Sequence, residues 1–361
     1  MGWLNATRRE RTVTKVWRPL LGVAISVVFL VIAFRGQDFG QIRDALRAVN
    51  YWYLVPALAL YFAGVMVRAV RWSILLRPAV AISPRQAFPI IVIGYTANNV
   101  LPLRTGELVR SFVLGQKYGV RKTTALATIA IERLFDGFTM ISFILIATVF
   151  VSFTAELQHV ALIAFVIFAV ILIGLFVLTL GGSFRDRLLQ LVLGPMPTPL
   201  ADRVERMMES FLSGLGVLRS RRDLALVSGT SLLAWGLEAG MYWTIARGFG
   251  GDLASVMSFA AALMTTGVAN LATLIPSSPG YVGPFETATV LVVNGALDIP
   301  RTVALSYAIV VHAALWGPIT VLGAIEWSRQ QLSMARVRQA AKDDAVNEPA
   351  PQDGERPSSL A

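Results

Sequence analysis

Six ionisable residues lie in two short groups inside strongly apolar parts of the chain, where a charged side chain is costly unless it is paired or functional. The groups are Arg104, Glu107 and Arg110, followed by Glu132, Arg133 and Asp136. The three residues of the first group lie three apart and share one face of a helix. In the second group Glu132 and Asp136 are one turn apart on one face, and Arg133 can lean towards Asp136. Arginine binds phosphate oxygens in a bidentate geometry, so these groups can form a site for a phosphate-bearing ligand. In the alternative interpretation, the arginines and acids only neutralise one another and fix neighbouring helices.

Two turns that contain proline and glycine carry further candidate residues. The first turn has Asn98 and Asn99 ahead of Pro102 and Gly106, and the second contains Pro279, Gly280 and Gly283 and precedes Glu286. Proline ends a helix and glycine lets the backbone approach a ligand closely, so each turn can form part of a cavity. Protonation of Glu107 or Glu286 would provide a means of coupling ligand movement to a proton. His312, in apolar surroundings, is either a cavity residue or a hydrogen-bonded core histidine.

The composition excludes a soluble protein. Of 361 residues, 55% are hydrophobic and 15% are charged, and the mean hydropathy is +0.63. The chain has no cysteine and only two histidines, which excludes thiolate and His-rich metal sites, so neither a metal nor another cofactor is expected. No soluble-enzyme motif occurs, so the protein is not expected to be an enzyme. The net charge is +10, and the Lys and Arg residues lie at the edges of the apolar runs. This placement indicates contact with anionic phospholipids at the inner membrane face rather than with nucleic acid.

The apolar runs predict an all-α polytopic membrane protein with about six full spans and two re-entrant helical hairpins, because about 20 apolar residues cross a bilayer. The spans are expected at 17–34, 51–76, 123–153, 160–180, 224–245 and 302–327. Lys and Arg flank the first and last spans, which predicts cytoplasmic N- and C-termini in the cell (inner or plasma) membrane. Arg68 and Arg71, at the inner end of the second span, are expected to extend towards lipid headgroups.

The domain organisation follows from these spans. A transmembrane domain at 17–328 is expected between a basic cytoplasmic N-terminus at 1–16 and a polar, largely disordered cytoplasmic tail at 329–361. An amphipathic segment at 181–222 is expected to lie on the inner face.

The two interrupted stretches predict an internal repeat. Its units span 83–153 and 252–328. The offset along the chain from Glu107 to Glu286 equals the offset from Arg133 to His312. An odd number of crossings separates the units, so the repeat is expected to be inverted, an arrangement typical of secondary transporters. The alternative is that the interrupted hairpins are packing devices.

Three sequence blocks, NNVLPLRTGELVR at 98–110, ERLFDG at 132–137 and SPGYVGPFE at 278–286, resemble the flippase-like family that includes the transmembrane domain of lysylphosphatidylglycerol synthase. The resemblance covers about residues 20–328 and implies that the protein moves or presents lipids, in the way that other members accompany polyprenyl or glycolipid pathways. Tyr281 stands where a second glycine is expected. No aminoacyl-transfer sequence follows residue 328, so lysine transfer is not expected.

These observations predict a lipid flippase or transporter that moves an anionic or polyprenyl-linked lipid between leaflets without ATP hydrolysis. The residues expected to bind or translocate the lipid are Asn98, Asn99, Arg104, Glu107, Arg110, Glu132, Arg133, Asp136, Glu286 and His312. The alternative is a non-catalytic membrane accessory module of a glycosyltransferase or lipid-modifying enzyme, which would then be a protein partner. A membrane-embedded transferase is a third alternative, and the sequence specifies no oligomeric state.

Overall fold

A computed structural model describes residues 21–101, 105–151, 220–275 and 277–330, with scattered residues between 162 and 174. In these ranges the chain forms helices joined by turns, without a strand, which confirms the all-α class for the described part. The helices are α1 (Leu21–Phe34), α2 (Phe39–Arg47), α3 (Leu54–Leu76), α4 (Pro84–Val100), α5 (Gly106–Tyr118), α6 (Lys122–Ala147), α7 (Arg221–Phe249), α8 (Gly251–Val256), α9 (Phe259–Ala272), α10 (Pro284–Gly295) and α11 (Arg301–Arg329).

Local sequence signals account for several helix ends. Ser83 and Gln86 form a reciprocal capping box at the start of α4. The Ser258 side chain accepts a hydrogen bond from the first turn of α9. Gly119 ends α5 with a φ of 70°, a conformation that a residue with a Cβ rarely adopts. Pro284 begins α10, where its missing N–H is not needed.

Three helical segments are long and apolar enough to cross a membrane: Tyr51–Leu76, which includes α3, Arg221–Phe249, and Arg301–Arg329. A fourth candidate is the pair α1 and α2, whose axes are bent by 81°. The described part of the chain is therefore an integral multi-pass membrane protein with three or four candidate spans. Three of them coincide with spans predicted from the sequence.

The remaining predicted spans have less support. α6 is 26 residues long, but it carries Glu132, Arg133 and Asp136 and is not among the apolar candidates. The predicted span at 160–180 lies largely outside the described residues. Residues 1–16, 181–219 and 331–361 lie outside them as well, so the predictions for the N-terminus, nearly all of the amphipathic segment and the tail stay predictions.

The two apolar helices α3 and α7 pack against each other in opposite directions. Near the start of α3 the Asn50 N–H donates to the Gly248 carbonyl at 2.8 Å, and beyond its end Arg77 binds Asp223 at 3.0 Å. At Gly64 the backbones come so close that a Cβ there would lie 3.1 Å from the Ala234 carbonyl oxygen. α3 and α7 therefore form a closely packed antiparallel pair.

Glycine also sets the distance between α4 and α5. A Cβ at Gly106 would lie 2.1 Å from the Gly94 carbonyl oxygen, so any side chain at this position would force the two helices to shift apart. The Gly106 N–H instead donates to the Asn98 side-chain oxygen at 2.7 Å. The turn between these helices is thus held by a side-chain acceptor from α4.

Helices from the two proposed repeat units, 83–153 and 252–328, pack against each other in equivalent pairs. α4 packs on α11, where the Thr96 hydroxyl donates to the Ile319 carbonyl at 3.1 Å. α9 packs on α6, where a Cβ at Gly267 would lie 2.9 Å from the Met140 carbonyl oxygen. The first residues of α6 and α11, Lys122 and Arg301, are related by the same offset as Glu107 and Glu286. The offset seen between individual residues in the sequence therefore also relates helix boundaries.

Candidate functional site

A cavity of about 730 Å³ lies between the helices of the two halves. Its charged and amide side chains are Arg68, Asn98, Asn99, Glu107, Arg133, Asp136, Glu238, Asn270 and His312. Aromatic side chains also line it: Tyr61, Tyr95, Trp235, Tyr281, Phe285 and Trp316. A concave site of this size, with a few convergent polar groups among aromatic rings, is typical of a binding pocket for a small group.

Behind one wall of the cavity, a buried ion-pair network joins α3, α5 and α6. Arg71 donates to Asp136 at 2.6 Å and to Glu132 at 3.0 Å. The other carboxylate oxygen of Glu132 accepts from Arg110 at 2.9 Å. At most 5% of any of these side chains is exposed. Because burial of an unpaired charge is costly, this network holds the three helices in register.

A second buried pair crosses from α3 to α7. Arg68 binds Glu238 at 2.7 Å, and its guanidinium lies 4.3 Å from the centre of the Trp235 ring. The Trp235 indole donates to Asp136 at 2.7 Å. Trp235 therefore connects the Arg68 pair to the network behind the cavity wall.

The expectation that Arg68 and Arg71 extend to lipid headgroups is wrong. Arg68 is 2% exposed and Arg71 is 0% exposed. Glu238 on α7, and Glu132 and Asp136 on α6, supply carboxylates at their guanidinium groups, so both arginines are retained in the helical bundle.

Arg133 differs from the other three arginines. Its side chain is 42% exposed and lines the cavity. Asp136 lies 3.6 Å from its guanidinium, and Glu132 lies 3.9 Å away, which are longer distances than those made by Arg71. The proximity of Arg133 to Asp136 predicted from their spacing is present. Arg133 thus presents an exposed guanidinium group to the cavity, whereas Arg68, Arg71 and Arg110 are enclosed.

His312 lines the cavity and contacts Glu286, which does not line it. His312 Nε2 lies 2.8 Å from the Gly280 carbonyl oxygen, and Nδ1 contacts a Glu286 carboxylate oxygen. The second carboxylate oxygen accepts from the Gly283 N–H at 2.6 Å. Gly280 and Gly283 have φ values of 77° and 101°, which glycine adopts without strain. This turn is therefore fastened to α11 through His312.

Asparagines near the ends of α4 and α9 donate hydrogen bonds to carboxylates or to a hydroxyl group of a neighbouring helix. Asn98 donates to Glu107 at 3.4 Å, and Asn270 donates to Glu238 at 3.1 Å. Asn99 donates to the Thr320 hydroxyl at 2.8 Å. The amides thereby orient two carboxylates that line the cavity.

The structure brings together most of the residues chosen from the sequence. Asn98, Asn99, Glu107, Arg133, Asp136, Gly280 and His312 line the cavity. Arg110 and Glu132 lie in the network behind it, and Glu286 contacts it through His312. Gly106, Pro279 and Gly283 shape the two turns. Pro102 and Arg104 lie outside the described residues, so their positions, and the binding roles of all these residues, stay predictions.

Sequence reasoning missed Glu238 and Trp235 and misjudged Arg68. An available signal was the single acid Glu238 inside the apolar run 224–245, because a buried carboxylate requires a partner. The partner could not be identified from the sequence, since Arg68 lies 170 residues away.

Comparison with known proteins gives a match along most of the chain. A family model described as the lysylphosphatidylglycerol synthase TM region matches residues 20–323. The UPF0104 membrane protein of Methanothermobacter thermautotrophicus is 28% identical over 280 residues, which cover 73% of this chain and 80% of that protein. Glycosyltransferase AglD of Haloferax volcanii is 23% identical over 350 residues, which cover 90% of this chain but 56% of AglD. The chain therefore spans a little over half the length of AglD.

Proposed function

The chain belongs to the family of the lysylphosphatidylglycerol synthase transmembrane region, and on that premise we propose that it is a lipid transporter. It moves an anionic or polyprenyl-linked lipid between leaflets without hydrolysing ATP, and it is not itself an enzyme. The headgroup enters the cavity while the hydrocarbon chains stay in the bilayer.

The observation that carries this proposal is the exposure of Arg133. The side chains of Arg68, Arg71 and Arg110 are 0–3% exposed and bind acids at 2.6–3.0 Å. Arg133 is 42% exposed, so a phosphate can reach its guanidinium without breaking one of those buried pairs. Among the described residues, the site thus combines the accessible cation of Arg133 with a buried, charge-compensated wall.

Cavity size supports the same function. A volume of about 730 Å³ falls in the range of small-molecule pockets and suits a phosphate-bearing headgroup. The aromatic lining can contact the glycerol or isoprenoid portion next to the phosphate. Acyl chains need no protein cavity, because lipid surrounds the helices.

The proposed membrane arrangement has six full spans and two re-entrant hairpins in an inverted repeat. α4, α5, α9 and α10 contain 17, 13, 14 and 12 residues, fewer than the ~20 that cross a bilayer. The common offset that relates α6 to α11 and Glu107 to Glu286 supports a repeat. The antiparallel packing of α3 and α7, which precede the two units, supports its inversion. Both termini are cytoplasmic, and the segment 181–222 contacts anionic phospholipids of the cell membrane.

Reconstitution tests the proposal. The purified protein is placed in liposomes with fluorescent phosphatidylglycerol or phosphatidylcholine, and translocation is followed by quenching from outside. We expect Arg133→Gln to slow phosphatidylglycerol translocation by roughly 10–100-fold, because a hydrogen bond to a charged group contributes about 1.5–3 kcal/mol. Arg43→Gln, which removes a 63% exposed arginine of α2, is the matched control and should retain the rate. Equal rates for both variants would contradict the assignment.

The match to AglD favours a second candidate function. AglD is named a glycosyltransferase, and its aligned part makes up 56% of its length. In this alternative, the chain is the membrane accessory module of an enzyme encoded separately. The purified protein alone then moves no lipid, whereas it stimulates glycosyl transfer to a polyprenyl phosphate by a co-reconstituted enzyme.

A further inference from the structure

We propose that transport is coupled to protons and that the His312–Glu286 pair is the site that takes up the coupling proton. The inference rests on the proposed function and adds a second transported species to it. An anionic headgroup and a proton bind the cavity together and cross in the same direction.

Hydrogen-bond chemistry places one exchangeable proton in this pair. The Gly280 carbonyl can only accept, so His312 Nε2, 2.8 Å away, carries a hydrogen. The contact between Nδ1 and the Glu286 carboxylate needs a second hydrogen, held by the ring or by the carboxyl group. The pair is neutral with that proton and carries one negative charge without it. Its loss also leaves a ring lone pair facing a carboxylate oxygen, so the contact is stable only when protonated.

The other buried acids of the described residues have no partner that can give up its proton. Glu132, Asp136 and Glu238 each bind an arginine, and arginine keeps its charge at every physiological pH. Histidine is the side chain whose charge ordinarily changes between pH 5 and 8. Among the described residues, the ionisable groups that line the cavity together with His312 are Tyr61 and Arg68 of α3, Tyr95 of α4, Glu107 of α5, Arg133 and Asp136 of α6, Glu238 of α7, and Tyr281 of the second turn. His312 is the histidine among them.

The sign of the coupling follows from the location of the pair. His312 lines the same cavity as Arg133 and is its counterpart in the second repeat unit. A deprotonated pair adds a negative charge to the cavity and opposes an anionic headgroup, whereas a protonated pair does not. By linkage, a bound anion must favour proton uptake to the same extent. The two ligands therefore load together, which makes the transporter a lipid–proton symporter.

A pH gradient across proteoliposomes tests this inference. Fluorescent phosphatidylglycerol is placed in one leaflet, the membrane potential is clamped, and the pH on the labelled side is varied between 8 and 6 with the other side held constant. We expect the wild-type rate to rise at least threefold as the labelled side is acidified. His312→Gln and Glu286→Gln should remove this dependence. His159→Gln, which changes the only other histidine of the chain, should retain it.

The outcomes separate the two proposals. If the wild-type protein moves phosphatidylglycerol at one rate at both pH values, proton coupling is overturned and lipid transport stands. If the wild-type protein moves no lipid, both proposals fall. If the His159 variant alone loses the dependence, the proton site lies elsewhere.

Nuclear magnetic resonance provides a measurement that needs no variant of the pair. In His159→Gln protein with ¹⁵N-labelled histidine, His312 gives the only imidazole signals. We expect the His312 Nδ1 resonance at pH 7 to move towards that of the protonated pair when phosphatidylglycerol replaces phosphatidylcholine in the nanodisc. An Nδ1 resonance that does not change from pH 5 to 9, or one that has the same pH dependence in both lipids, would overturn the inference.

Discussion

Replacement of Arg71, which does not itself line the cavity, by methionine should destabilise the protein strongly. Arg71 is fully enclosed and donates to Asp136 at 2.6 Å, to Glu132 at 3.0 Å and to Ser231 at 2.8 Å. Methionine fills similar space but leaves a buried carboxylate without its main partner. Removal of one member of a buried ion pair costs about 3–5 kcal/mol. For a chain of 361 residues each kcal/mol corresponds to roughly 1.3 °C, so the melting temperature should fall by about 4–7 °C.

The assay is thermal unfolding in detergent, with Arg77→Met as the matched control. Arg77 also forms an ion pair, with Asp223 at 3.0 Å, but its side chain is 56% exposed. Its replacement should therefore lower the free energy of unfolding by at most about 1 kcal/mol. Addition of Asp136→Asn to Arg71→Met removes one of the stranded charges and keeps an acceptor for Trp235, so part of the melting temperature should return. Equal melting temperatures for Arg71→Met and Arg77→Met would refute the role given to the buried network.

Two further predictions concern the turns. Gly106→Ala should destabilise by about 1–3 kcal/mol, because its Cβ would lie 2.1 Å from the Gly94 carbonyl oxygen. Gly229→Ala, in open space on α7, should instead raise the melting temperature slightly, and equal shifts would argue against the close approach of α4 and α5. In the cysteine-free chain, single cysteines at Thr105 and Ser277 should react with impermeant thiol reagents from opposite membrane faces, Thr105 from the cytoplasm. Labelling of both from one face would rule out opposed hairpins.

The sequence by itself determined the membrane class, the positions of three spans and the residues that cluster near the turns. These properties are local. An apolar run of sufficient length crosses a bilayer whatever its neighbours are, and the spacing of Arg133 and Asp136 fixes their proximity within one helix. The three sequence blocks also carried the family resemblance, because the residues that form a turn or a charged helix face lie next to one another in the chain.

Only the tertiary structure decided which charges are enclosed and which are accessible. Arg71 and Arg133 are both arginines in apolar helices, yet one is 0% exposed and the other has a 42% exposed side chain. Their difference depends on which helix lies opposite, and that is set by long-range packing such as the approach of α3 to α7 at Gly64. The acid that neutralises Arg68 lies 170 residues away, beyond any helical spacing. Charge pairing in a membrane bundle is therefore a property of helix contacts, because in a poorly hydrated interior a charge must be matched by whichever side chain lies within hydrogen-bond distance.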